Sequence, residues 1–181
     1  MAHAAKIGIT GMPSVGKTQT ILKIIEKLEA KETIVGGMVT ESIEEHGQRK
    51  GFLIEDWLTK ETDTLAHVDF DTDVRVGKYG VDMDVLEKIG VAAILSAIEE
   101  AEVIIVDEVG KMEMESPAFC DAVKAALDSD KSMIMTLHKK SRNPLLQDIR
   151  RRDDIRILEV TPINRNLLPY KIEKLLEGEV I

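Results

Sequence analysis

The chain lacks most of what would tie it to an oxidising compartment, a bilayer or a nucleic-acid surface. Its 181 residues include one cysteine, Cys120, so no internal disulfide can form and a reducing cytoplasm is expected. On a helix, Cys120 reads as a small buried hydrophobe. Aromatic residues are 3% of the chain, too few for a base-stacking platform. The 24 basic residues are outnumbered by 33 acidic ones, and the net charge of −9 weighs against sequence-independent nucleic-acid binding. A local basic strip would escape that argument, so the charge is a bias and not an exclusion. No apolar run approaches a membrane span, and residues 1–6 enter a strand too soon for a signal peptide. What remains is a chain 44% apolar, enough for one substantial core, read as a single domain over residues 1–181.

Against this background, Gly11-Met12-Pro13-Ser14-Val15-Gly16-Lys17-Thr18 forms a complete G-x-x-x-x-G-K-[ST] phosphate-binding loop, the Walker A motif. An apolar strand, 6–10, leads in and an amphipathic helix, 18–31, leads out. That junction is where backbone N–H groups and a helix N-terminus converge on phosphate oxygens. Gly11 and Gly16 permit the tight path. Lys17 can reach the β- and γ-phosphates, and the Thr18 hydroxyl can ligate Mg²⁺.

Further along, helix and strand signals alternate. Ile21, Ile24, Ile25 and Leu28 form one helical stripe. Residues 33–42 and 49–59 read as strands around the turn Glu44-Glu45-His46-Gly47, with a third strand at 64–70. An antiparallel hairpin extension over about 36–70 is therefore expected. Asp84 is predicted to cap a helix, with Glu87 three residues on. Residues 102–107 form a strand apolar on both faces, and Ser116-Pro117 opens the next helix. Strands at 131–138 and 155–161 and helices at 143–152 and 166–177 complete the series. The fold class is α/β: a mainly parallel sheet with helices on both faces, whose ligand site lies at the carboxyl ends of the strands.

Val103-Ile104-Ile105-Val106 ends in two acids, the Walker B pattern. Asp107 is placed to hold Mg²⁺ through water, facing Thr18 across the phosphates. Glu108, one residue on, points towards an attacking water that it can orient and deprotonate. In proteins with an acid after the metal-binding Asp, a further strand usually lies between the two motif strands; 132–138 is the candidate. Its end carries Thr136 and His138, either of which can sense the γ-phosphate, although a structural histidine fits equally well.

Taken together, the motifs resemble the small P-loop nucleoside-triphosphatase family of the thermophile nucleotide phosphohydrolases and the vertebrate cancer-related nucleoside-triphosphatase. The shared features run in order: Thr10 to the Walker A Thr18, Gly36-Gly-Met-Val-Thr-Glu41, Gly47-Gln-Arg-Lys-Gly-Phe52, Val76-Gly-Lys-Tyr79, Val106-Asp-Glu-Val-Gly-Lys-Met-Glu113 and Thr161-Pro-Ile-Asn-Arg-Asn166. The Gly-Lys-Met-Glu tail is the most specific of them. The resemblance implies a P-loop NTPase fold and Mg²⁺-dependent hydrolysis of ATP, GTP and other nucleoside triphosphates with loose base preference. A monomer independent of membrane and nucleic acid is expected. Ser14 departs from the family, which usually has glycine there. Lys111 either places a cation near the developing phosphoryl charge or pairs with a surface acid. Glu113 fits a supporting contact better than a catalyst. Arg165 either flanks the base or ribose or simply begins the last helix. Thr40 and Glu41 either help close the site or are ordinary strand residues.

Two rival functions share parts of this pattern. A small-molecule kinase needs an acceptor site and an arginine-rich lid, for which Arg150-Arg151-Arg152 is the only dense run; the helix dipole explains that run as well. A nucleotide-dependent binding switch also fits, because turnover rate is not written in a sequence. No Leu-Ser-Gly-Gly-Gln-like signature supports an ABC-type dimer.

Overall fold

A computed structural model describes residues 4–178. Nine strands, β1 (Lys6–Gly11), β2 (Val35–Glu45), β3 (Gln48–Asp56), β4 (Thr62–His67), β5 (Arg75–Val76), β6 (Tyr79–Val81), β7 (Val103–Val109), β8 (Ser132–His138) and β9 (Ile155–Glu159), form one sheet in the order β5-β6-β4-β3-β2-β7-β8-β1-β9. Strands β1, β7, β8 and β9 run parallel, and the first half of β2 joins them. As the two-acid motif suggests, β8 lies between β1 and β7.

The helices cover both faces, which explains the unbroken apolar run of β7. Ile104 and Val106 face a core built with α3 (Ala92–Glu100) and α4 (Pro117–Asp128). Val103 and Ile105 face the opposite core, built with α1 (Lys17–Ala30). On α1 the buried stripe is Thr20, Ile21, Ile24, Ile25 and Leu28, matching the helical spacing. Helix α5 (Pro144–Arg151) packs on the first face and α6 (Leu168–Leu176) on the second.

The antiparallel extension exists and is longer than expected. Strand β2 leaves β7 at Met38, turns at His46 and Gly47 (φ 53° and 76°), and returns as β3 (Gln48–Asp56). Positive φ at both turn positions matches the strand twist. β4 (Thr62–His67) follows, and a short hairpin, β5 (Arg75–Val76) with β6 (Tyr79–Val81), extends the sheet past residue 70.

The helix start at Asp84 is corrected. Asp82 is the cap: its carboxylate accepts the Val85 N–H at 3.1 Å, opening α2 (Met83–Val85). Both acids precede the same apolar stripe, and register alone decides between them. Glu87 does not close a capping box but accepts the Ser116 hydroxyl at 3.0 Å. A π-helical turn, Leu86–Val91, separates α2 from α3. Ser116 caps α4 as read, accepting the Phe119 N–H. Cys120 on α4 is half-buried, and that burial raises its thiol pKa.

Candidate active site

Because β2 and β3 outrun the parallel strands, they form a wall above the carboxyl edge of the sheet. Between this wall and the phosphate-binding loop lies a cleft of about 920 Å³, bordered by Ser14, Lys17, Thr18, Asp107, Glu108 and His138. On the wall side it meets Thr40, Glu41, Arg49, Phe52 and Trp57. Of the two alternatives for Thr40 and Glu41, closing the site or serving as ordinary strand residues, their place on the cleft favours the first, while Arg49 and Trp57 carry no such signal in the sequence. Only the register of a hairpin whose reach is unknown beforehand could have placed those two.

The loop leaves β1 at Gly11 and enters α1 through Gly16, whose φ of 114° is a left-handed value that suits glycine. No side chain caps α1, so its first N–H groups remain available to an anion. Ser14 also lies in the left-handed region, at φ 63°. A glycine would hold that φ without the Cβ strain that serine carries. Met12 and Pro13 are exposed, and Val15 packs into the core.

Opposite the loop, the pairing of β7 with β8 slips between Val106 and Val109, releasing Asp107 and Glu108 from the regular ladder. Asp107 is buried and accepts two hydroxyls, Thr18 Oγ1 at 3.0 Å and Thr136 Oγ1 at 2.7 Å. Burial raises its pKa to about 6, with the Glu108 charge adding to the rise. The Thr136 and Thr18 hydrogen bonds oppose that rise. Thr136 is therefore corrected as a γ-phosphate sensor: it is fully buried and its hydroxyl orients Asp107. The β8 register, once known, sets Thr136 beside Asp107.

Glu108 places its Oε2 3.0 Å from Lys17 Nζ. The side chains are 30% and 13% exposed, so the pair sits at the cleft surface and not in the core. Behind Glu108 lies Glu113, at 5% exposure. Desolvation, followed by repulsion from Glu108, raises the Glu113 pKa to about 8, which keeps it a neutral acid at pH 7. Gly110 is the residue that lets the two carboxyls converge. A Cβ there would lie 2.9 Å from Glu108 Oε1 and 3.0 Å from Glu113 Oε2. The Gly-Lys-Met-Glu tail thus gains a structural reason.

His138 accepts the Ser141 N–H at Nδ1, 3.0 Å away, and burial lowers its pKa. Both facts favour a neutral ring with its proton on Nε2. Lys111 is exposed beside a smaller cavity of about 170 Å³ that also touches Glu108, Glu113 and His138. It forms no ion pair among the described residues. Arg165 is exposed, and its Cδ stands 3.6 Å from the position of a Cβ on Gly16, so it flanks the loop. It does not begin the last helix, which starts at Leu168. Asn164 is occupied locally, exchanging hydrogen bonds with Thr161.

The arginine run does not form a lid. Arg150 donates to the carbonyls of His138, Lys139 and Ser141, and Arg152 pairs with Asp128 and Asp154. Among the described residues no three His, Cys, Asp or Glu side chains gather as a metal cage. One buried carboxylate beside a hydroxyl is instead a hard-oxygen donor set. It suits Mg²⁺ whose other ligands are phosphate oxygens and water.

The NTPase family profile matches residues 6–173. The chain belongs to the NTPase family. Among curated NTPase relatives, the nucleoside-triphosphatase THEP1 of Thermofilum pendens is 44% identical over 92% of both chains. That of Thermoplasma volcanium is 39% identical over 97% of this chain and 99% of its own. The crystal structure of THEP1 from the hyperthermophile Aquifex aeolicus superposes with a TM-score of 0.84 at 32% identity, over 95% of this chain and 99% of that one. The solution structure of a human cancer-related nucleoside triphosphatase gives 0.82 at 30% identity, over 98% and 100%. The fold is thus a P-loop NTPase fold. No helix among the described residues is long and apolar enough to cross a membrane.

Proposed function

We propose that this chain hydrolyses nucleoside 5′-triphosphates to the diphosphate and phosphate, in a Mg²⁺-dependent reaction with broad base specificity. The reading rests on one observation: Thr18 meets Asp107 and Lys17 meets Glu108, each at 3.0 Å, at one end of a single cleft. Loop N–H groups and Lys17 bind the β- and γ-phosphates. Thr18, with Asp107 through water, would hold Mg²⁺, which supplies charge neutralisation across the phosphates. Thr136 keeps the Asp107 carboxylate turned towards that position.

Glu108 carries the chemical step. An arriving γ-phosphate competes for Lys17 and frees Glu108 to accept a proton from the attacking water. The water oxygen bonds to the γ-phosphorus. The bond to the β–γ bridging oxygen breaks, its electron pair leaving on the diphosphate. Neutral His138 offers its Nε2 proton to a phosphate oxygen, and Lys111 adds positive charge at the same end. Arg165 flanks the ribose or base. The protein acts on free nucleotides as a monomer in the cytoplasm, with no role for nucleic acid, in keeping with its charge of −9 and single cysteine.

Incubation with Mg²⁺ and each of ATP, GTP, CTP and UTP, with and without nucleoside or nucleotide acceptors, tests the reading. Phosphate release from all four without acceptor is expected. Transfer that occurs only with an acceptor would replace hydrolysis with a kinase, and binding without either would indicate a switch.

A further inference from the structure

We propose that Arg49, on the hairpin wall, contacts the terminal phosphoryl group of the bound triphosphate and offsets the negative charge that develops there. The inference rests on the hydrolytic reading above and adds a catalytic residue to it. Arg49 borders the same cleft as Lys17 and Glu108. Its guanidinium carbon lies 5.5 Å from the centroid of the Phe52 ring. Phe52 in turn borders the smaller cavity beside Glu108 and His138. Arg49 thus stands beside an aromatic ring that itself reaches the cavity shared by Glu108 and His138.

The decisive observation is an unsatisfied donor. Arg49 Nε is buried and has no hydrogen-bond partner. The guanidinium forms no ion pair among the described residues, although Glu41, Glu44 and Glu55 border the same cleft. A planar, permanently charged fork is matched in geometry to phosphate, and a buried donor is costly to leave unpaired. The terminal nitrogens of the same fork have no partner among the described residues either and are not buried, so a phosphoryl group in the cleft would give this uncompensated cation its counter-charge. Arg49 forms and breaks no covalent bond; it acts by charge, from the wall opposite Lys17.

The test compares unmodified protein with Arg49→Ala and Arg49→Lys. Phosphate release, ADP affinity and affinity for ADP with aluminium fluoride, which mimics the transferring phosphoryl group, are measured for each. Arg49→Ala should lower kcat by on the order of 10³ and abolish the tighter binding of the fluoride complex, with ADP affinity changed less than about twofold. Arg49→Lys keeps the stem and the charge but not the fork, and should lose at least about tenfold in kcat. It carries the test should the alanine variant fail to fold by circular dichroism. A folded variant with kcat within about threefold of the unmodified protein, or equal losses in ADP and ADP–fluoride affinity, would overturn the role of Arg49 alone. Unmodified protein that releases no phosphate would remove the hydrolytic reading, and this inference with it.

Discussion

Replacing Glu113 with glutamine should alter how stability depends on pH. The folded chain holds this carboxyl neutral up to about pH 8, because it is buried and faces Glu108, whereas its ordinary value is 4.5. Between those values the unfolded chain releases a proton that the folded chain keeps. The native state binds more protons, so its stability falls as pH rises. The contribution is fully present below about 4.5 and gone above about 8. That interval, at about 1.4 kcal/mol per pH unit, corresponds to roughly 4–5 kcal/mol. Glutamine cannot ionise, so Glu113→Gln should gain on the unmodified protein by this order between pH 4.5 and 8. Urea denaturation of both proteins at half-unit intervals gives the difference, and contributions common to both, such as that of Asp107, cancel. The slope of the difference is the readout, since any fixed cost of the amide shifts every point equally. Parallel stability curves over that range would refute a buried neutral acid behind Glu108.

Lys17→Ala should weaken nucleotide binding by at least about tenfold, because the cation reaching the β- and γ-phosphates is lost; unchanged affinity by calorimetry would contradict the phosphate-loop assignment. Thr136→Val leaves one oxygen of buried Asp107 without a donor, and should cost about 1–3 kcal/mol in denaturant unfolding. It should also raise the Mg²⁺ concentration needed for half-maximal hydrolysis. Ser14→Gly relieves a left-handed backbone position and should stabilise the fold by about 0.5–1 kcal/mol with nucleotide affinity unchanged. A lower unfolding midpoint would count against the strain argument.

Much of this arrangement was legible from residue pattern alone. The Walker A loop and the apolar strand ending in Asp107 and Glu108 follow from periodicity and motif spacing, and the place of β8 follows from likeness to phosphate-loop proteins that carry an acid after the metal-binding Asp. The hairpin turn at His46 and Gly47 was equally plain. What escaped depends on register and reach in three dimensions. Asp82 and Asp84 precede the same helix, and only backbone geometry shows which carboxylate meets the Val85 N–H. Thr136 could be assigned to Asp107 only once the β7–β8 register was known. Arg49 lies 58 residues from Asp107 in sequence, and nothing local indicates that β2 and β3 project far enough to bring it over the cleft. Gly110 stood only as one letter of a shared motif, and the space its missing side chain leaves between Glu108 and Glu113 shows only in three dimensions.

The central claim is that Glu108 activates the attacking water, and Glu108→Gln tests it most directly. The variant keeps the size and hydrogen-bonding reach of the side chain but cannot take a proton at neutral pH. Single-turnover phosphate release with Mg²⁺ and ATP should fall by a factor on the order of 10² or more, while nucleotide affinity by calorimetry is retained. Hydrolysis at the unmodified rate by a correctly folded variant would contradict the claim and remove Glu108 from the mechanism.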